Sequence, residues 1–275
     1  MTKESQIIFE RPRALEPNIF SFCPGCVHGI VHRLVAETLV EFDVDGDSIA
    51  VIPVGCAVTS YNHFATDVIQ AAHGRAPAVA TAVKRVHPDK IVFSYQGDGD
   101  LASIGMAETV HAAARGENIT VIFINNAIYG MTGGQMAPTS LPDQITQTSP
   151  YGRDVNTTGY PIHVSEMLAP LEGVAYVERV TVDTPGSVRK AKKAIKKAFQ
   201  YQRDKVGYSF IEVVSTCPTN WGLNPQDSFE WMRKNMIPEY PLGVYCDVKK
   251  DGYSSAVEAA NARRELRAQA QKEGR

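Results

Sequence analysis

The chain has 275 residues, of which 44% are hydrophobic and 21% charged, with a formal net charge of −2. That length can bury the core of one large domain or two small ones, and the charge argues against a nucleic-acid binder working by bulk phosphate attraction. No apolar run approaches the ~20 residues needed to span a bilayer, and the N-terminus lacks the basic-then-apolar layout of a secretory signal. The expectation is a cytoplasmic protein without a membrane or nucleic-acid partner, whose five cysteines serve as thiols or metal ligands rather than disulfides.

Residues 1–17 read as an N-terminal arm, either wrapping a partner or forming a mobile end. Ile30, Leu34 and Val35 form a first helical apolar stripe. The run 49–54 is the first of five β-branched, apolar stretches; the others are 90–95, 119–124, 175–182 and 208–215. Val68, Ala71, Ala72, Val79 and Val83 suggest a second helical region, interrupted at 74–77. Ile104, Ala107, Val110 and Ala114 mark a helix over about 102–115, and Val188, Ala191, Ile195 and Phe199 a fourth stripe. Residues 137–165 are rich in Pro, Thr, Gly and Asn and have no period, the mark of a functional lid or contact surface. The helix predicted over 187–205 carries Lys190, Lys192, Lys193, Lys196, Lys197 and Arg203; a solvated face is the simpler reading, docking of an acidic protein the alternative. Residues 251–275 read as a charged helix or tail. Continuous rather than alternating hydrophobicity, as in ITVIFI, suits strands covered on both faces. The prediction is an α/β fold over 18–250, with a mostly parallel twisted sheet and helices on both faces.

Two of the predicted strands end in polar turns. Gly97-Asp98-Gly99 follows 90–95, and Asn125-Asn126 follows 119–124. Either alone is an ordinary loop dipeptide, but one crossover helix would bring the two carboxyl ends side by side, where open α/β sheets bind ligands. Asp98 offers a carboxylate, Asn126 an amide oxygen and the backbone near Ile128 a carbonyl, hard donors suited to Mg²⁺ shared with phosphate oxygens. Gly97 and Gly99 would let a phosphate approach the backbone at a helix N-terminus.

Cys23 and Cys26 form a Cys-x-x-Cys; Cys56 and Cys217 follow the first and last predicted strands, and Cys246 stands apart. Four thiolates suit zinc or an iron–sulfur cluster, and spacing alone does not choose between them. A structural zinc site more commonly uses two tight pairs; the single pair here leans toward a cluster.

The segments CPGCVHG (23–29), VGCAVTS (54–60), HGRAPAVATAVK (73–84), GDGDLASIG (97–105), NNAIYGMTGGQ (125–135) and STCPTNWG (215–222) span most of the chain. Together they resemble the β (thiamine diphosphate-binding) subunit of a 2-oxoacid:ferredoxin oxidoreductase. The WGL…NMIPEYPLGVY ending is most similar to the branched-chain (2-oxoisovalerate) branch. The resemblance implies thiamine diphosphate, Mg²⁺ on Asp98, Asn126 and the Ile128 carbonyl, and one [4Fe–4S] cluster on Cys23, Cys26, Cys56 and Cys217. It places Gly97, Gly99, Asp100 and Thr132 along the diphosphate, Cys56 beside the cofactor, and His73, Gly74 and Arg75 nearby, with Arg75 facing an anion or forming a structural ion pair. The implied activity is CoA-dependent oxidative decarboxylation of a 2-oxoacid, with electrons passed to ferredoxin or flavodoxin. The implied partners are α and γ subunits, with or without a ferredoxin-like δ, the α subunit supplying the activating glutamate. Two positions depart from the family pattern: Val27 stands where many relatives have glycine, and Gly133 where some carry a lysine that meets the substrate. The alternatives are a cluster-free thiamine diphosphate decarboxylase or carboligase, and a zinc-stabilised α/β binding module.

Overall fold

In a computed structural model, residues 10–273 are described. Seven strands form one sheet in the order β2-β1-β3-β4-β6-β5-β7: β1 Ser48–Ile52, β2 Asp67–Gln70, β3 Ile91–Gly97, β4 Thr120–Asn125, β5 Val174–Thr181, β6 Tyr208–Val214 and β7 Gly243–Asp247. All neighbours are parallel except β5 and β7. β1, β4 and β6 are buried along their whole length, which requires cover on both faces of the sheet. That cover comes from α1 His28–Glu41, α2 Ala76–Val86, α3 Met106–Ala114 and α6 Pro185–Arg203. α1 packs on α6, α6 on β5 and β6, and α2 on β3 and α3.

The five predicted strands are present, and the structure adds two that the hydrophobic pattern hides. β2 and β7 lie at the sheet edges, where a strand needs no continuous apolar run. Val68, read above as helical, belongs to β2, and Ala71 and Ala72 precede the turn before α2. Pro77 sits in the first turn of α2, where its missing N–H has no intrahelical partner to lose. Residues 137–165 are not without structure: they include α4 Val155–Thr158 and the start of α5 Val164–Leu168.

Residues 1–9 of the predicted arm lie outside the described residues. Its remainder is docked on the domain, through a Leu15–Phe64 bridge and Arg13 held by Asp43 and Asp45. Three of the six basic residues named on α6 form ion pairs within the chain: Lys192 with Glu37 and Glu41, Lys196 with Glu41, and Lys197 with Asp247. At the other end, α7 Pro218–Trp221, α8 Pro225–Trp231 and α9 Ile237–Glu239 follow β6, and α10 Ala256–Glu273 follows β7. Among the described residues, no helix is long and apolar enough to cross a membrane.

Candidate cofactor site and the cysteine cavity

The sheet order decides what meets at its carboxyl edge. β1, β3, β4 and β6 are consecutive neighbours, so the residues that follow them stand in a row: Cys56, Asp98, Asn126 and Cys217. Gly97 pairs with Ile124, and Asn125 with Val214, which sets these loops at one level. Winding reverses between β1 and β3, and such a reversal opens a crevice at the strand ends. A cavity of about 110 Å³ lies there, lined by His28, Cys56, His73, Gly97, Asp98, Gly99, Asp100, Asn126, Ile128 and Thr132 among others.

Asp98 is 2% exposed. Its Oδ1 accepts from the Gly99 amide (2.8 Å), and its Oδ2 from the Thr139 hydroxyl (2.8 Å) and the Ile128 amide (3.2 Å). Burial pushes its carboxyl up to about 6, against the pull of those hydrogen bonds, so near neutral pH it still presents a negative charge. The Asn126 amide can turn either end toward this corner. With its NH₂ inward it donates to Asp98 Oδ2 (3.3 Å) and the Ile128 carbonyl (2.8 Å); with its oxygen inward, only acceptors face it. Neighbouring ligands on an octahedral Mg²⁺ with 2.0–2.1 Å bonds lie about 2.9 Å apart. In the second orientation the Asn126 oxygen lies 3.3 Å from Asp98 Oδ2 and 2.8 Å from the Ile128 carbonyl, close to that spacing.

The approach to the following helix is unusual. Residues Asp100–Ile104 form a π-helical turn ahead of α3, a geometry frequent at functional sites. It turns Asp100 inward. Oδ1 accepts from His73 Nδ1 (2.5 Å) and the Gly74 amide (2.6 Å), and Oδ2 from Gln96 Nε2 (2.6 Å). Asp100 lines the cavity with both oxygens engaged, and one of them fixes the His73–Gly74 corner. Gly74 contributes its amide to Asp100 rather than a surface of the cavity. Arg75 does not line the cavity either: its Nη1 pairs with Glu108 and donates to the Ile104 carbonyl.

A second cavity, of about 230 Å³, is lined by Cys23, Cys26, Cys56 and Cys217 together with Phe22 and Asn220. The Cys26 amide donates to the Cys23 carbonyl (3.1 Å), closing a tight turn. Gly25 in that turn has φ +79° and lies against Pro225, where a Cβ would clash. Thr216 Oγ1 donates to the Gly25 carbonyl (2.8 Å), fastening the turn beside Cys217. From the opposite wall, the Sγ atoms of Cys56 and Cys217 lie 3.1 and 3.6 Å from where a Gly130 side chain would begin. Burial, then the neighbouring sulfurs, pushes Cys26 and Cys56 up to about 12, and burial raises Cys217 as well. Among the described residues, no three His, Cys, Asp or Glu side chains are grouped to hold a single metal ion. Cys246 is elsewhere, its thiol donating to the Val174 carbonyl.

Both departures from the family pattern have a local account. Val27 adopts ordinary right-handed geometry (φ −79°) and is buried in the core, so the position asks for no glycine. Gly133 has φ +105°, a conformation that strains a lysine.

Sequence reading missed several side chains that shape the site. Thr139, Ser140, Gln144 and Arg153 all come from 137–165, whose composition flagged the segment but not the residues. His28 lines both cavities, and its Nδ1 meets the Tyr95 hydroxyl at 2.7 Å.

A mostly parallel sheet with polar loops and a cavity beyond a Gly-Asp-Gly strand end is the setting in which the class of the domain can be tested by comparison. The family model described as the C-terminal TPP binding domain of thiamine pyrophosphate enzymes matches residues 53–213. The chain is 46% identical over 240 residues to ketoisovalerate oxidoreductase subunit VorA of Methanothermobacter marburgensis, covering 87% of this chain and 50% of that protein. It is 39% identical over 223 residues to 2-oxoglutarate synthase subunit KorB of Methanocaldococcus jannaschii, covering 78% of each. A solved 2-oxoglutarate:ferredoxin oxidoreductase from Magnetococcus marinus, with 2-oxoglutarate, coenzyme A and succinyl-CoA bound, shares the fold with a TM-score of 0.71 at 23% identity, over 95% of this chain and 92% of that one. The chain belongs to the family of thiamine diphosphate-binding β subunits of 2-oxoacid:ferredoxin oxidoreductases. It spans about half the length of the VorA proteins it matches.

Proposed function

We propose that this chain is the cofactor-bearing β subunit of an enzyme that oxidatively decarboxylates a branched-chain 2-oxoacid of the 2-oxoisovalerate type, forms the CoA thioester and passes electrons to ferredoxin or flavodoxin in the cytoplasm. The observation that carries it is the shared wall of the two cavities: His28, Cys56, Asn126, Gly130 and Met131 line both. Asp98, Asn126 and the Ile128 carbonyl hold Mg²⁺, and through it the diphosphate; Gly97, Gly99 and Thr132 line that diphosphate, and His73, fixed by Asp100, faces it. Thiamine diphosphate, once bound, supplies the electron sink that makes loss of CO₂ feasible.

Cys23, Cys26, Cys56 and Cys217 hold one [4Fe–4S] cluster in the second cavity. Support comes from the cavity itself: a cubane gives each thiolate its own iron, whereas one zinc ion would draw all four sulfurs to about 2.3 Å from a single point. The cofactor cavity of about 110 Å³ is small beside the roughly 300–1,000 Å³ of usual ligand sites. This supports a site completed by an α subunit, with γ and sometimes a ferredoxin-like δ in the assembly. The branched-chain substrate rests on the likeness to VorA over 87% of the chain.

Anaerobic purification with the partner subunits, followed by visible absorption and metal analysis, tests this reading. A brown protein with about four irons per chain is the expected result; colourless protein carrying zinc would sink it. Turnover on pyruvate, 2-oxoisovalerate, 2-oxoglutarate and aryl 2-oxoacids then tests the substrate, and preference for 2-oxoglutarate would overturn the branched-chain assignment.

A further inference from the structure

The segment 137–160 lies outside the strands that build the oxygen corner, yet it supplies three of the hydrogen bonds that shape it. Thr139 Oγ1 donates to Asp98 Oδ2 (2.8 Å), while Ser140 Oγ (2.6 Å) and Gln144 Nε2 (3.0 Å) both donate to the Ala127 carbonyl. Ala127 has φ +58°, a left-handed conformation that a non-glycine residue holds only when its surroundings impose it. Asn125 Oδ1 accepts from the Ala127 amide (3.2 Å), so the residue is gripped on both sides. Its twist lies between the two ligands it separates, Asn126 and the Ile128 carbonyl.

Arg153 organises the segment. It is 3% exposed and, among the described residues, no carboxylate lies within salt-bridge distance of it. Its guanidinium donates to backbone carbonyls instead: Nη1 to Pro138 (3.0 Å) and Ser140, Nε to Gly159 (3.0 Å), Nη2 to Tyr160 (2.9 Å), and more weakly to Ala137 and Thr158. A buried cation is tolerated only when its rigid fork of donors is satisfied, and here the satisfaction fixes the backbone that carries Thr139 and Ser140. Tyr240 adds a hydrogen bond to the Thr139 carbonyl (2.6 Å).

We propose that residues 137–153 form a clamp, keyed by Arg153, that holds Asp98, Asn126 and the Ile128 carbonyl at the spacing of a small octahedral cation. Ser140 and Gln144 are positioning residues that act through Ala127, and Arg153 is one that acts through the backbone of Pro138 and Ser140, none of them on the cation. The inference rests on the Mg²⁺ reading of the corner. Mg²⁺ demands near-ideal octahedral geometry, whereas Ca²⁺ accepts longer and irregular bonds, so a loosened clamp penalises Mg²⁺ selectively.

The test uses the assembled enzyme with Arg153→Met, and with Ser140→Ala and Gln144→Leu, milder variants that keep Arg153. Thiamine diphosphate binding is titrated by calorimetry with Mg²⁺ and with Ca²⁺, and hydrogen exchange of 137–153 is followed with and without Mg²⁺ and thiamine diphosphate. The expected result is a loss of about 10–100-fold in Mg²⁺ affinity, a smaller loss for Ca²⁺, and slowed exchange of 137–153 when Mg²⁺ and cofactor bind to the unsubstituted enzyme, as reciprocal coupling requires. Unchanged Mg²⁺ affinity in both Ser140→Ala and Gln144→Leu, equal losses for the two ions, or exchange indifferent to ligand would each overturn the clamp. Asp98→Ala separates the two levels. If it binds normally, the metal corner and the clamp fall together; if it fails while the clamp variants bind normally, the clamp alone falls.

Discussion

The oxygen corner and the cysteine cavity share a wall, yet the fold prepares them in opposite ways. At the corner, Asp98 accepts hydrogen bonds from Gly99, Thr139 and Ile128, which engage both of its oxygens. In the sulfur cavity the side chains are placed but their charge is not compensated: burial and mutual repulsion hold Cys26 and Cys56 as thiols, near 12. A cluster of the kind proposed would displace those protons and bring its own positive charge. The corner's acceptors are thus held by hydrogen bonds, while the thiols of the second cavity are held by burial.

Substitutions should separate the two. The largest effect is expected for Asp98→Ala, which should weaken Mg²⁺-dependent thiamine diphosphate binding by roughly 100-fold or more, above the range for supporting residues, while leaving iron content unchanged; iron lost together with cofactor would mean that the sites are not independent. Cys217→Ser should do the reverse, with visible absorption and iron lost and calorimetric cofactor binding retained. Asp100→Asn should weaken cofactor binding by about tenfold, because His73 loses its fixed partner; no change would make that corner structural only.

Smaller effects concern the frame around both sites. His32 is buried, with Nδ1 on the His28 carbonyl and Nε2 on Ser60, and burial, then nearby His28, holds it well below the ordinary histidine value. The folded chain keeps it neutral while the unfolded chain protonates near pH 6.5. Below that pH the unfolded state binds more protons, so stability should fall as pH drops, by at most about 1.4 kcal/mol per pH unit from this group. Denaturant melts of His32→Leu should show a shallower acid limb alongside lower stability at pH 8; an identical slope would assign the acid sensitivity to other groups. The smallest effect is expected for Arg75→Gln. Its pair with Glu108 is partly exposed and worth at most about 1 kcal/mol, so cofactor affinity should stay within about twofold, and a larger loss would return Arg75 to the site.

How far the sequence disclosed this arrangement depends on the range of the interactions. The five strands with continuous apolar runs announce themselves, because burial on both faces leaves a local pattern. β2 and β7 do not, since an edge strand is stabilised by a neighbour distant in sequence, Ile49–Ile52 for β2 and Tyr176–Arg179 for β7. Asp98 and Asn126 were legible because each ends a readable strand. Thr139 and Arg153 were not: the hydrogen bond from Thr139 reaches 41 residues back to Asp98, and no periodicity encodes a hydroxyl aimed across a loop. Asp100 was named from the resemblance, but its partners were not legible: His73 and Gly74 lie 27 and 26 residues away.

The left-handed backbone at Ala127 has a consequence for engineering. Its strain costs about 1–2 kcal/mol, and glycine would remove that cost while loosening the unfolded chain by a comparable amount. Melting temperature should therefore hardly register the exchange, and a thermostability campaign that ranks variants by heat resistance alone would score position 127 as free to change. A redesign of this chain would do well to lock that alanine before optimising anything else, because a heat screen has no way to notice its loss.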